Sequence, residues 1–203
     1  MSTTRTVHDA LDRSIRLVLE HNIHNDIHKR FEFRRKTIFS DEILTVNEKN
    51  EAVRLLNKDY DRDRIFYNNG TKRSCEYCNR ECLATSYCEL CVRNYLKANF
   101  SNWTSGNRDI DNLIQHCQMN TLTPYMIIEW IPFNKLRNIE YLTKGGCSEI
   151  YTADWIDGRY FEWDSKEQQL NRFGMQKVAI KILENDENTN NIWFGEVRIL
   201  NMF

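Results

Sequence analysis

Two prolines and seven glycines are all that 203 residues contain, and neither type occurs before Gly70. The first third of the chain therefore has no helix breaker, which favours helix there. Long apolar runs are missing too: none approaches the ~20 residues that a membrane-spanning helix needs. The opening nine residues lack the apolar core of a secretory signal. An excess of one charge is also absent, since 28 basic residues face 29 acidic ones and the net charge is −1. Composition alone thus singles out neither nucleic acid nor an anionic membrane as a partner. These absences lead us to expect a cytoplasmic chain with no membrane span. Hydrophobic content of 41% and charged content of 28% are those of a globular protein. The length suits one ordinary domain or two small ones.

What is present divides the chain into four parts. Over residues 1–70, Val7, Leu11, Ile15 and Val18 recur at helical spacing after Thr6, a candidate cap. Thr45 and Glu48 have the form of a capping box, and the helix they open carries Val53, Leu56 and Tyr60 on one face. Asn68, Asn69 and Gly70 close it. Ile23, Ile27, Phe31 and Ile38 point to one or two amphipathic helices between. His24 and His28 lie four apart, but Asn25 stands where a metalloprotease motif wants Glu, so both read as solvated surface histidines. A short helix is expected over 109–119. Pro124 and Pro132 bracket an apolar run, 125–131, that should pack as a strand or short helix. From residue 137 the pattern changes: strands are expected over 139–142, 149–155 and 177–183. The Gly145-Gly146 turn joins the first two, and Asp157-Gly158 marks another turn. A polar loop over 184–191 and a helix over 192–202 complete the pattern.

Five of the seven cysteines lie between residues 75 and 91. Cys75 and Cys78 form one C-x-x-C, and Cys88 and Cys91 form a second nine residues later, with Cys82 between. Each C-x-x-C turn folds two sulfurs toward one ion, and two such turns complete a closed tetrahedral S₄ site. The expectation is a structural zinc-knuckle-like module over 71–97, with Cys82 as a possible replacement ligand; 98–136 is then a connector. Lys72, Arg73, Arg80, Arg93 and Lys97 flank the module, but Glu76, Glu81 and Glu89 interrupt them, so no nucleic-acid patch is evident.

The last part holds a different chemistry. Leu142 to Tyr151 includes the turn Gly145-Gly146, Val178-Ala179-Ile180-Lys181 follows on a later strand, and Glu196 lies in a segment with helical spacing. A backbone turn free of side chains admits phosphates, a strand lysine neutralises them, and a helix glutamate holds that lysine. Residues 138–203 resemble the start of a protein kinase domain in this order. The resemblance implies ATP, with Mg in a complete domain, bound by Leu142, Gly145, Gly146, Ile150, Ala179 and Lys181. It makes Lys181 and Glu196 the catalytic-site pair. Thr143 and Ser148 stand at the family's first and third glycines, which implies weaker nucleotide binding, and Cys147 replaces the usual aromatic residue at the loop tip. Residues 25–33, 56–63, 100–107 and 129–133, with the paired C-x-x-C, are similar to lineage-expanded fungal kinase-domain proteins that carry such a leader region. No histidine follows His116 and no D-F-G occurs, so on this reading the kinase segment is truncated and inactive alone. The overall expectation is α+β: a helical region, a cysteine module, then a partial kinase N-lobe of antiparallel strands. The alternative is a non-catalytic, zinc-stabilised adaptor that meets a protein partner through its helices.

Overall fold

The computed structural model describes residues 2–23, 26–146 and 148–183. It is α+β, with helices first and small antiparallel sheets after them, as the sequence pattern implies. The chain forms two compact units, Met1–Cys91 and Val92–Phe203. Among the described residues, no helix is long and apolar enough to cross a membrane.

In the first unit, three helices pack together: α1 (Ser2–Glu20), α2 (Ile27–Ser40) and α3 (Val46–Phe66). Their shared core is Val7, Ala10, Leu11, Ile38, Leu44, Ala52 and Leu56, flanked by Phe31, Val53 and Leu55. The capping box is formed, with the Thr45 hydroxyl accepting from the Glu48 N–H and the Glu48 carboxylate accepting from the Thr45 N–H. Thr6 is not a cap, because α1 already begins at Ser2. One helix rather than two occupies the stretch before Ser40, and its cap is Asp26, which accepts from the His28 and Lys29 amides. The Asp26 carboxyl consequently lies below its ordinary range, the Lys29 and His28 amides being the main causes. Downstream come a two-residue hairpin, β1 (Arg73–Ser74) and β2 (Glu81–Cys82), and the start of α4 (Glu89–Ala98).

The second unit contains α5 (Arg108–Met119), capped by the Asn107 side chain. The run 125–131 is neither strand nor complete helix: a 3-10 turn at Pro124–Met126 gives way to extended, irregular chain. Three strands make an antiparallel sheet in the order β3 (Leu136–Gly145), β4 (Ser148–Trp155) and β7 (Gln176–Leu183). A hairpin that the sequence reading lacks, β5 (Tyr160–Asp164) and β6 (Gln169–Arg172), is inserted between β4 and β7. Its base is closed tightly. Gly158 has φ +62°, and a Cβ there would fall 1.9 Å from the Gly174 carbonyl oxygen. Only glycine meets both demands.

Opposed residues of antiparallel strands share a face. Ala153 faces Val178 and Tyr151 faces Ile180. That side of the sheet, with Trp155, Leu136 and Ile131, forms the core. Its end is fixed by Glu129, whose buried carboxylate accepts from Arg172 at 2.6 Å, while the guanidinium lies 3.9 Å from the Tyr160 ring centre.

Candidate metal centre and lysine sheet

The cysteine module is built from two chain turns. After β1, the Asn79 amide donates to the Cys75 carbonyl at 2.9 Å, and the Cys75 amide donates to the Arg80 carbonyl at 2.9 Å. Asn79 takes a left-handed conformation, φ 55°, which asparagine tolerates better than most residues. This turn carries Cys75 and Cys78. Cys88 stands immediately before α4, and Cys91 lies in its first turn.

The Sγ atoms of Cys75, Cys78, Cys88 and Cys91 all lie within 4.8 Å of one another. Cys75 and Cys91 are 3.8 Å apart, as are Cys78 and Cys88. A zinc ion 2.3 Å from each of four thiolates sets sulfur–sulfur edges of about 3.8 Å. The cluster is therefore shaped to hold a tetrahedral metal ion. Cys82 is not part of it: it is buried, and its thiol donates to the Arg73 carbonyl. Cys117 lies in α5, away from the cluster in sequence, and joins no metal-ligating group among the described residues.

The two halves of the cluster treat their first sulfur in opposite ways. Burial raises the Cys75 thiol, but the Cys78 and Tyr77 amides outweigh it and bring it down to about 7. At Cys88 burial prevails over the Cys91 and Leu90 amides and pushes the thiol up to about 12. Burial likewise raises Cys91. Amides aimed at a sulfur stabilise its thiolate form, which is the form a metal takes.

The loop between the sulfur pairs is held from three directions. Asp61, on α3 and wholly buried, accepts from the Thr85 amide at 2.6 Å and the Ser86 amide at 3.0 Å, and from both hydroxyls. Arg73 donates to the Ala84 and Tyr87 carbonyls. Glu89 accepts from the Leu83 and Ala84 amides. Asp61 therefore ties the module to the helix bundle, a role that reading for metal ligands alone misses. One signal was available: Ala52, Leu56, Tyr60 and Arg64 recur every four residues, so charged groups at this end of α3 fall on or beside its buried face.

His28 is not the solvated surface group that the sequence suggests. It is half-buried against α3, with Nδ1 2.5 Å from the Tyr60 hydroxyl, while His24 lies outside the described residues.

The lysine sheet gathers most of its expected residues. Gly145 pairs with Ser148, closing the β3–β4 turn through Gly146. Ile150 is opposed by Thr143 on one side and Lys181 on the other, and Ala179 is opposed by Thr152. Ile150, Ala179 and Lys181 thus share the face opposite Ala153, Val178 and Trp155. Leu142 differs: it lies within the irregular β3 pairing between Tyr141 and Thr143, unpaired with β4 and 52% exposed. Lys144, on the other face from Lys181, approaches Glu149 at 3.9 Å. Glu196, Cys147 and the segments expected as loop and helix after residue 183 lie outside the described residues.

No family model, curated protein or solved structure matches this chain.

Proposed function

We propose that the chain is a protein-kinase-like nucleotide-binding segment preceded by a zinc-stapled module. The observation that carries the reading is the common sheet face of Ile150, Ala179 and Lys181 beside the Gly145-Gly146 turn. On it, Ile150 and Ala179 give an apolar floor for a base. The turn offers backbone N–H groups to phosphate oxygens, and the Lys181 ammonium neutralises their charge. Glu196 is the proposed partner of Lys181, and Mg would arrive with ATP. The sequence holds no H-R-D after His116 and no D-F-G, so the activity proposed for this chain is binding rather than phosphoryl transfer. Cys75, Cys78, Cys88 and Cys91 would hold zinc, which supplies a structural crosslink with no open coordination position. Reduced thiols suit a reducing compartment such as the cytoplasm.

The test is calorimetric titration of the full chain with a non-hydrolysable Mg-ATP analogue. We expect saturable binding that Lys181→Met abolishes without lowering the melting temperature. Absence of binding to the wild-type chain, or equal binding by Lys181→Met, sinks the nucleotide reading. The cysteine cluster supports a second reading, a non-catalytic zinc-stabilised adaptor that engages a protein through its helices. Zinc-dependent folding with no nucleotide response selects that one.

A further inference from the structure

A separate cavity of ≈ 470 Å³ lies in the first unit, between the end of α3, the chain leading into β1 and the loop at Thr85. Arg64, Lys72, Arg73 and His28 line it together with the Tyr60 and Thr85 side chains, and none of its lining residues is acidic. The lining therefore concentrates positive charge and hydroxyl groups, and the carboxylates that touch it from outside are Glu81, 3.5 Å from Lys72, and Asp61, which accepts from Thr85.

Arg64 is the unusual member. It is 7% exposed, and no carboxylate pairs with it among the described residues. Its Nη2 donates to the Thr71 carbonyl, while its Nε is buried with no hydrogen-bond partner. A guanidinium taken out of water without an anion is costly, and so is an unmet buried donor. The nearest acid in sequence on α3 that is equally buried, Asp61, is committed to Thr85 and Ser86.

The edge of the guanidinium that carries Nε packs closely against Gly70, where the lack of a Cβ keeps it from being crowded further. Gly70 has φ +115°, and a Cβ there would lie 2.9 Å from Arg64 Nε and 3.2 Å from Nη2. Any side chain at residue 70 would cover the two donors that a fork-like oxyanion contact uses. Around this edge, Lys72 is half-exposed with a 3.5 Å approach to the exposed Glu81, and His28 lies on the same side of Gly70 as Arg64, its Cε1 3.1 Å from where a Cβ would stand.

We propose that this cavity is a binding site for a phosphate group, either as the free ion or as a monoester. The oxyanion would accept from Arg64 Nε and draw charge from Lys72 and Arg73. The Tyr60 and Thr85 hydroxyls lie within the same lining, the first beside His28 Nδ1 and the second donating to Asp61. The site is distinct from the lysine sheet, and its residues all precede Cys91.

The experiment is calorimetry on the full zinc-loaded chain, at fixed ionic strength, with inorganic phosphate and with O-phosphoserine, chloride serving as the control anion. We expect phosphate to bind and raise the melting temperature where chloride does not. Arg64→Lys, which keeps the charge but removes Nε, should weaken binding about tenfold. Lys72→Gln, at an exposed position that cannot unfold the chain, should weaken it about two- to fivefold. Lys181→Met should leave it unchanged, which separates this site from nucleotide binding on the sheet. Tighter binding of O-phosphoserine than of phosphate identifies the monoester as the ligand, and the reverse order identifies the free ion. Failure of both probes to bind the wild-type chain at millimolar concentration overturns the proposal. So does binding that Lys72→Gln leaves unaltered, even where Arg64→Lys does not fold.

Discussion

At the scale of single residues, the structure shows how charge is buried in two different ways. Glu129, with its side chain 6% exposed, is matched by Arg172 at 2.6 Å. Burial pushes the Glu129 carboxyl up, and the neighbouring guanidinium opposes that push. Truncating one partner leaves the other buried and alone. Arg172→Ala should therefore destabilise by about 3–5 kcal/mol. Glu129→Gln combined with Arg172→Met should cost less than the sum of the single changes, and urea unfolding of the four proteins in a double-mutant cycle measures the difference. Arg64, by contrast, has no carboxylate partner among the described residues. Neither arrangement is legible in sequence, because Glu129 and Arg172 stand 43 positions apart. Nothing local in a sequence marks which distant charges will meet.

At the scale of elements, local signals served well wherever the physics is local. The Thr45–Glu48 box, the α5 boundaries and the glycine turn between β3 and β4 each depend on residues within a few positions of one another. Thr45→Ala should cost about 1 kcal/mol, read as a lower urea midpoint with an unchanged slope. The Glu48 carboxyl also has a pH signature. The Thr45 amide, then the Thr45 hydroxyl, hold it below its ordinary range. Its folded pKa is depressed, so its contribution is present at neutral pH and fades as pH falls through the folded pKa. An NMR titration should place the Glu48 midpoint below that of an unstructured glutamate, and Thr45→Ala should move it upward. The β5–β6 hairpin escaped the sequence reading for a physical reason. Phe161 and Trp163 alternate only briefly with polar residues, Leu170 stands alone among them on the next strand, and the turn at Ser165–Gln168 lacks glycine, relying instead on Gln168 at φ 51°. The four clustered cysteines were legible because their spacing is itself the geometry. Cys82 could be set aside only once its thiol was seen to face the Arg73 carbonyl.

At the scale of the whole molecule, the cysteine cluster and the helix bundle of the first unit are parts of one hydrogen-bonded assembly, through Asp61, Thr85 and Ser86. Removing metal should thus do more than loosen one loop. With zinc bound at the four cysteines, a strong chelator should lower the melting temperature of the full chain and reduce its helical circular dichroism, and added zinc should restore both. Cys88→Ser should start from the chelated value and respond little to zinc. An unchanged melt after verified metal removal would falsify the structural role. The fold as a whole was legible as a class, helices before antiparallel strands. The division after Cys91 was not, because it falls inside α4, where the sequence shows no break.

The tight closure at Gly158 and Gly174 has a practical consequence. The hairpin is anchored at its base by that backbone contact and by the Phe173 amide on the Arg159 carbonyl. Its tip at Ser165–Gln168 is correspondingly free of structural duty beyond its own turn, and residues 165–167 are solvent-exposed. Chain added there lengthens a loop whose ends are already held, for which the entropic cost grows only slowly with length. The tip is thus a natural port for a fluorophore, an epitope or a whole reporter domain, carried on a stem that leaves the lysine sheet and the cysteine module in their native covalent order.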